Sequence, residues 1–293
     1  LESLAAERGV TAPISFRIKP GIDAHTHEFI RTGQVDSKFG LDLASGEAMD
    51  ALRRASELEH VVVKGLHCHI GSQILEKAPF VHAAEVMLQF FAQVREELGT
   101  TFEHLNLGGG FGIHYTERDD AIPYEEYMED VSAMVHAKCR ELGLDLPYIF
   151  IEPGRSIVGE AGITLYTVGN IKHIPGVRDY VAIDGGMFDN PRYALYQSAY
   201  TCILANKAGE PADYTATIAG KCCESGDLIQ EHTLIQKPEE GDILAVLSTG
   251  AYNYSMASNY NRNLKPAVVM VSHGKSRIVV KGETYEDLVR NDV

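Results

Sequence analysis

The sequence predicts an α/β unit over residues 1–158 followed by an all-β unit over residues 159–293. In the first part, four strand-like runs alternate with three amphipathic helical segments, a pattern typical of a parallel sheet with helical crossovers. After Val158, strand-like runs separated by turns follow one another without a helix of comparable length, which indicates a β-sandwich or β-barrel. An alternative division assigns residues near 250–264 to the end of the first unit instead of to the β unit.

Hydrophobic periodicity places the elements of the first unit. A short helix over 1–8 is followed by strands at 14–18, 61–70, 105–107 and 148–151. Three longer helices follow from a spacing of 3.6 residues: one capped by Ser45 with apolar positions as far as Leu58, one ending at Gly99, and one from Pro123 to Gly143. The strand-like runs of the second unit are 163–171, 180–184, 214–219, 242–247, 267–272 and 276–281.

The bulk composition excludes several classes of protein. The chain has 293 residues and a formal net charge of −15, which argues against a general nucleic-acid surface. No apolar run is long enough for a transmembrane helix. The five cysteines are odd in number and irregularly spaced, which favours a reduced, cytoplasmic setting over a disulfide framework.

Each strand of the first unit ends in polar residues or glycines, at 19–21, 69–73, 108–112 and 152–155. Because the carboxyl ends of parallel strands share one edge of a sheet, these segments are expected to lie together where ligands bind. The run Gly108-Gly109-Gly110-Phe111-Gly112 leaves backbone N–H groups open to a phosphate, although a tight turn explains the glycines equally well. With Ser72 before it and Arg155 after it, the sequence favours a phosphate site.

Two histidines on one strand allow several interpretations. His67 and His69 share a face, and a second pair of the same spacing occurs at His25 and His27. Two such pairs alone do not complete a metal site, so we predict no metal. The structural alternative is that one histidine of the pair is buried in the core and the other lies in a loop. A third possibility is that an imidazole lies flat on an aromatic cofactor ring.

Charged residues after the fourth strand and in the second half are candidates for ligand recognition. Three roles are open for Glu152: a general base, a surface charge, or a partner for a protonated ring nitrogen. Arg155 is close enough in the sequence to form an ion pair with it. Arg192 offers a planar fork suited to a carboxylate or phosphate, or it is an ordinary surface arginine.

Two further segments are unusual in composition. Cys223-Glu224-Ser225-Gly226-Asp227 combines a thiol, two carboxylates and a hydroxyl around one glycine, and an exposed thiol can donate a proton. Most such cysteines are small core residues, as we expect of Cys222. The run 250–261 is rich in Tyr, Asn and Ser, which fits either a surface loop or the wall of a ligand site.

Taken together, these motifs resemble those of the fold type III, alanine-racemase-type, pyridoxal-phosphate-dependent decarboxylases. The resemblance covers essentially the whole chain, and the last two motifs narrow it to members that convert meso-2,6-diaminopimelate to L-lysine and CO2. It implies the C-terminal half of a (β/α)8 TIM-type barrel followed by the β unit, in a homodimer with sites at its interface. The motifs are Lys38-Phe39-Gly40, His67–Gln73, Asn106–Gly112, Glu152–Arg155, Cys223–Asp227 and Gly250–Asn261.

The resemblance also implies roles for individual residues. His69 would stack on the pyridine ring, and Glu152 would pair with the protonated ring nitrogen and keep the ring an electron sink. Cys223 would be the proton donor and would come, with Glu224, from the partner subunit. The residues implied to hold the cofactor, mainly its phosphate, are Ser72, Gly108, Gly109, Gly110, Gly154, Arg155 and Tyr252. Those implied to recognise the far end of the amino-acid substrate are Arg155, Arg192, Tyr196, Glu224 and Tyr252.

One departure from the family pattern is substantial. The family attaches its cofactor to a lysine in a YAxKAN-like motif on the first barrel strand, and no lysine here matches that motif. We therefore expect this chain to be an N-terminally truncated piece that does not attach the cofactor by itself. Alternative functions are decarboxylation of ornithine, arginine, lysine or carboxynorspermidine, a catalytically inactive homologue, or a metal hydrolase.

Overall fold

A computed structural model describes residues 1–22 and 38–293, and the chain divides into two compact units. Unit 1 comprises Leu1–Ile113 and Asp120–Ile157, and unit 2 comprises His114–Asp119 and Val158–Val293. The short segment His114–Asp119 thus belongs with the second half of the chain, which its position in the sequence does not indicate. The residues near 250–264 also lie in unit 2.

Unit 1 is built on a sheet in which every strand pair is parallel, in the order β2-β1-β3-β4-β5. The predicted alternation of strands and helices is confirmed, and the two-residue strand β2 is an addition that the sequence did not indicate. The elements are α1 (Glu2–Glu7), β1 (Ala12–Lys19), β2 (Leu41–Asp42), α2 (Glu47–Ser56), β3 (Val61–Cys68), α3 (Ala78–Leu98), β4 (His104–Asn106), α4 (Tyr124–Leu142), β5 (Tyr148–Phe150) and, at the boundary, α5 (Arg155–Val158).

The start and end of α2 differ from the prediction. Gly46, in the left-handed conformation with φ 82°, precedes the helix, and no side chain caps it. Ser45 does not cap the helix because it lies one residue before the cap position, in the turn that follows β2, where its backbone N–H donates to Asp42 Oδ2 at 2.7 Å. The helix ends at Ser56, so Leu58 lies beyond it and is 41% exposed instead of contributing to the apolar face.

The core of unit 1 also fixes the loops that follow β3 and β4. Phe80 from α3 stacks on Phe111 at a centroid distance of 4.7 Å, and Tyr127 from α4 meets both rings edge-on. The Tyr127 hydroxyl donates to the Ile74 carbonyl at 2.9 Å. Burying each of these aromatic side chains stabilises the fold by about 1.5–3 kcal/mol. Packing against the core therefore holds the two loops in place.

Unit 2 contains a six-stranded sheet in the order β10-β9-β7-β6-β11-β8, mostly antiparallel, with β7 and β9 parallel. Strands β8 and β10 and helices α6 and α7 were not predicted. The elements are β6 (Thr164–Ile174), β7 (Arg178–Ile183), α6 (Arg192–Tyr196), β8 (Cys202–Leu204), β9 (Tyr214–Ala219), β10 (Leu228–Ile235), β11 (Ile243–Val246), β12 (Val268–Ser272), β13 (Lys275–Val280), α7 (Tyr285–Val289) and single 3-10 turns at Ala205–Lys207, Tyr254–Met256 and Tyr260–Arg262.

Glutamine side chains connect the two edge strands of this sheet. The Tyr200 N–H donates to Gln230 Oε1 at 2.9 Å, and the Leu204 N–H donates to Gln236 Oε1 at 2.8 Å. The sheet is therefore nearly closed on itself, which satisfies edge groups that would otherwise be unpaired. Strands β12 and β13 form a separate antiparallel hairpin. Within 1–22 and 38–293, no helix is long and apolar enough to cross a membrane.

Candidate active site

Four segments meet at the carboxyl edge of the unit 1 sheet, as predicted, because β1, β3, β4 and β5 are parallel neighbours. Backbone hydrogen bonds join the segments beyond the strands. The Ile74 N–H donates to the Gly110 carbonyl at 2.9 Å, and the Glu152 N–H donates to the Gly108 carbonyl at 2.8 Å. We call this edge the strand-end rim; its residues are His69, Ser72, Gly108, Gly109, Gly110, Glu152 and Arg155.

Close packing of the backbone accounts for the glycines of the rim. A Cβ atom on Gly109 would lie 2.3 Å from the Glu152 carbonyl oxygen. One on Gly110, whose φ is +107°, would lie 2.4 Å from the Gly71 carbonyl oxygen. Both contacts are far shorter than van der Waals distance, so neighbouring strand ends exclude a side chain here. The interpretation of the run as a phosphate loop stays a prediction.

Arg155 and Ser72 form a polar pair on this rim. Arg155 is only 6% exposed, and its Nη2 donates to Ser72 Oγ at 2.6 Å. The two residues are 83 positions apart in the sequence and meet because their segments follow β3 and β5, two strands of one parallel sheet with only β4 between them. A guanidinium and a hydroxyl side by side suit an anion such as a phosphate.

Glu152 is held in place but remains accessible. Asn106 Nδ2 donates to Glu152 Oε1 at 2.9 Å, while the Asn106 side-chain oxygen accepts the Gly108 N–H. The other carboxylate oxygen lies 3.4 Å from His67 Nε2, and the Glu152 side chain is 55% exposed. An oriented, accessible carboxylate of this kind can accept a hydrogen bond from a protonated ring nitrogen.

Burial lowers the pKa of both histidines of the β3 segment. Burial lowers the pKa of His69 to about 4, and the charge of Arg17 and the neighbouring His67 act in the same direction. Burial also lowers the pKa of His67, although Glu152 opposes the effect. His69 Nδ1 accepts the Gly109 N–H at 3.3 Å, which fixes the ring against the rim. A neutral, fixed imidazole is suited to stacking on an aromatic ring.

His67 and His69 do not belong to a complete set of metal ligands among the described residues. No three His, Cys, Asp or Glu side chains of the described residues group closely enough to hold a metal ion. The second histidine pair, His25 and His27, lies outside the described residues.

In unit 2 a buried arginine is surrounded by tyrosines. Arg192 lies in α6 and is 6% exposed. Its Nε donates to the Tyr200 hydroxyl at 2.8 Å and its Nη2 to Ser198 Oγ at 3.1 Å. No carboxylate of the described residues forms an ion pair with it. The guanidinium carbon also lies 5.5, 5.8 and 5.9 Å from the ring centroids of Tyr115, Tyr196 and Tyr252.

We call these six residues the Arg192 cluster. A buried cation without an anionic partner is costly to fold, so the cluster suits a negative group. The structure brings together the predicted Arg192, Tyr196 and Tyr252.

Three members of the Arg192 cluster were missed by sequence reasoning. Ser198 and Tyr200 lie within eight residues of Arg192, and the density of hydroxyls in 193–200 was an available signal. Tyr115 follows the glycine run far upstream, and no local pattern marks it.

Arg17, in unit 1, was also missed. It is partly buried, its guanidinium carbon lies 4.6 Å from the centroid of the Phe39 ring, and burial lowers its pKa.

Cys223 and Glu224 lie on an exposed turn. The Cys223 N–H donates to Asn261 Oδ1 at 2.6 Å, and the Tyr260 hydroxyl donates to Glu224 Oε2 at 3.4 Å. Both side chains are open to solvent. Cys222 is not the core residue that we expected: it is only partly buried, and burial together with Asp227 raises the pKa of its thiol to about 11.

Two buried aspartates fasten this turn to the loop that leads into α6. Asp227 is 2% exposed and accepts the Met187 N–H at 2.6 Å and the Cys222 N–H at 2.7 Å. Asp189 accepts from the Gly186 N–H and from the Tyr166 hydroxyl. Burial raises the pKa of Asp189 to about 6, and the nearby Asp227 contributes in the same direction.

Comparison with known proteins gives a uniform result. A family described as pyridoxal-dependent decarboxylase, pyridoxal binding domain, matches residues 1–159. The chain is 52% identical over 293 residues to diaminopimelate decarboxylase of Bacillus subtilis (strain 168), covering 100% of this chain and 67% of that protein. It is 50% identical over 281 residues to diaminopimelate decarboxylase of Bacillus methanolicus, covering 96% and 65%.

Among solved structures, diaminopimelate decarboxylase from M. jannaschii in complex with L-lysine has a TM-score of 0.89 at 37% identity and covers 100% of this chain and 66% of that one. The chain thus spans about two thirds of the length of the relatives that it matches.

Proposed function

The chain belongs to the pyridoxal-dependent decarboxylases, and on this premise we propose that the whole protein converts meso-2,6-diaminopimelate to L-lysine with release of CO2, the last step of lysine biosynthesis. The names of the relatives support the reaction. The observation that supports this choice of substrate is the burial of Arg192, which has no carboxylate partner among the described residues. A substrate with a second, distal carboxylate would supply that partner.

The residues of the strand-end rim fit the cofactor, pyridoxal 5′-phosphate. Ser72, Arg155 and the Gly110 N–H would hold the phosphate. The N–H groups of Gly108 and Gly109, which the sequence also offered for this role, already donate to the side chains of Asn106 and His69. The neutral ring of His69 would cover one face of the pyridine. Glu152 would keep a proton on the ring nitrogen. When bound, the cofactor supplies an electron sink for the electron pair left as CO2 departs.

The Arg192 cluster would hold the end of the substrate that does not react. The guanidinium would bind the distal carboxylate, with Tyr196 and Tyr252 beside it. Glu224 would pair with the distal ammonium, and the Cys223 thiol would donate the proton that replaces CO2. The exposure of the Cys223–Glu224 turn supports a homodimer in which this turn completes the site of the partner. A cytoplasmic location also stays a prediction.

The same premise implies that the parallel sheet of unit 1 is one side of a (β/α)8 barrel. In support, the edge strand β5 leaves Tyr148 72% and Phe150 44% exposed, and Ile149 between them packs against the core. Large aromatic side chains on an open strand edge are suited to packing against further strands.

The substrate is tested by rates of CO2 release from the whole protein, including any sequence that flanks this chain. We expect faster release from meso-diaminopimelate than from L-ornithine, L-lysine or L-arginine at equal concentrations. Faster release from ornithine would contradict the assignment of the substrate.

Cofactor attachment is tested separately by the visible absorbance of the whole protein before and after borohydride. A band that borohydride abolishes is expected. The absence of any band in every preparation would contradict cofactor attachment and favour a catalytically inactive homologue.

A further inference from the structure

The hydrogen bonds of Arg192 use one edge of its guanidinium. Nε donates to the Tyr200 hydroxyl at 2.8 Å, and Nη2 donates to Ser198 Oγ at 3.1 Å. In a planar guanidinium, the Nε–H and the adjacent Nη2 N–H point the same way and form the side edge. The other edge, formed by Nη1 and the second N–H of Nη2, has the spacing that binds a carboxylate through two parallel hydrogen bonds.

Tyr200 is itself rigidly placed. It is 2% exposed, and its ring packs at 90° against Tyr115 with a centroid distance of 5.3 Å. Its backbone N–H donates to Gln230 Oε1 at 2.9 Å, which ties it to strand β10. The position of its hydroxyl is therefore set by the sheet of unit 2. Tyr196 and Tyr252, by contrast, are partly exposed.

We propose that Tyr200 is a positioning residue that selects for ligands with a distal carboxylate: by occupying the side edge of Arg192, it leaves the end edge turned toward the ligand. The proposal rests on the proposed function, in which Arg192 binds that carboxylate. Packing alone would not require the hydroxyl, since phenylalanine has the same ring. The hydroxyl matters because it accepts from Nε of a buried cation, and hydrogen bonds to charged groups are stronger than neutral ones.

Two ligands of similar length separate this role from a general structural one. L-lysine keeps the carboxylate that Arg192 would bind, and cadaverine is the same chain without it. Their dissociation constants are measured by calorimetry on the whole protein loaded with pyridoxal 5′-phosphate. For Tyr200→Phe we expect L-lysine to bind about 10-fold more weakly while cadaverine is unchanged, given the usual strength of a hydrogen bond to a charged group.

A matched control is available on the same segment. The Tyr193 hydroxyl donates to Glu231 and forms no hydrogen bond with Arg192, so Tyr193→Phe should change neither dissociation constant. Ser198→Ala removes the longer hydrogen bond to Arg192 and should weaken the binding of L-lysine about 3-fold, again without an effect on the binding of cadaverine. Because Ser198 is only partly buried, Ser198→Ala decides the question if Tyr200→Phe fails to fold.

The outcomes distinguish the two proposals. If the unmodified protein does not prefer L-lysine to cadaverine, the proposed function is contradicted. If it does, and folded Tyr200→Phe keeps the same preference, the positioning role of Tyr200 is overturned and the proposed function stands. An equal loss for both ligands would also overturn it, because that pattern indicates general damage to the site.

Discussion

The strand-end rim and the Arg192 cluster are two polar sites built in different ways. The rim is made largely of backbone: its glycines, its joined loops and the Asn106–Glu152 contact follow from parallel strands that end side by side. The Arg192 cluster is made of side chains that helix α6 and several irregular segments bring together, from Tyr115 to Tyr252. The first site depends on close packing of main chain, and the second depends on the charge and hydroxyl groups around one cation.

This difference determines how each site should respond to substitution. In the rim, adding volume should be more harmful than changing charge, because neighbouring strand ends leave no space. In the Arg192 cluster, removing the charge should weaken ligand binding strongly at little cost in stability, because the cation has no carboxylate partner among the described residues.

The largest effect is expected from Gly109→Ala. The new Cβ would meet the Glu152 carbonyl oxygen at 2.3 Å, so one strand end must move. We expect a loss of about 3 kcal/mol or more in unfolding free energy, together with loss of cofactor binding. Denaturant unfolding and absorbance titration measure the two. Gly209→Ala is the control, since nothing lies within 4 Å of its added Cβ. Equal stability of the two variants would show that the rim is not closely packed.

Glu152→Gln tests the charge of the rim without a change in volume. The amide can still accept from Asn106, so the fold and the cofactor should be retained. Loss of the negative charge should lower turnover of the whole protein about 100-fold, as expected when one preorganised electrostatic partner is removed. Glu103→Gln is the control, because Glu103 pairs with Lys64 on the surface. Unchanged turnover of Glu152→Gln would exclude the proposed role at the ring nitrogen.

How far the sequence predicted each site reflects the same contrast. The parallel sheet, its helices and the rim residues could be predicted, because strand ends and hydrophobic periodicity are local features of the chain. The capping of α2 could not, since Gly46 takes the cap position and Ser45 lies in a turn that follows an unpredicted strand. Tyr115 and Tyr200 were missed because they reach Arg192 through the fold of unit 2, and no spacing in the sequence records that approach. The roles of the site residues remain predictions.

In the Arg192 cluster, Arg192→Met should separate stability from function. Methionine fills a similar volume without a buried charge, so the unfolding free energy should be unchanged or higher by up to about 2 kcal/mol. Binding of L-lysine should weaken about 100-fold, because a bidentate contact with its carboxylate is lost. Chemical denaturation and calorimetry give the two values. If the variant were much less stable, the contacts within the cluster would already stabilise the cation, and the argument for a bound carboxylate would fail.

The smallest effect concerns the buried Asp189, which lies on the loop that leads into α6. Its pKa of about 6 in the folded protein exceeds the ordinary value of 3.8, so between about pH 4 and pH 6 the folded state binds a proton that the unfolded state has released. The stability that this residue contributes is therefore present at low pH and is lost as the pH rises through about 6.

Asp189→Asn cannot titrate and keeps an oxygen for the Tyr166 hydroxyl or the Gly186 N–H. Its unfolding free energy, relative to the unmodified protein, should rise by about 2 kcal/mol between about pH 4 and pH 7.5. Urea unfolding at both pH values measures this difference, and the comparison cancels the titration of all other groups. An offset that stays constant with pH would show that Asp189 is ionised throughout, and that the loop before Arg192 carries a full negative charge.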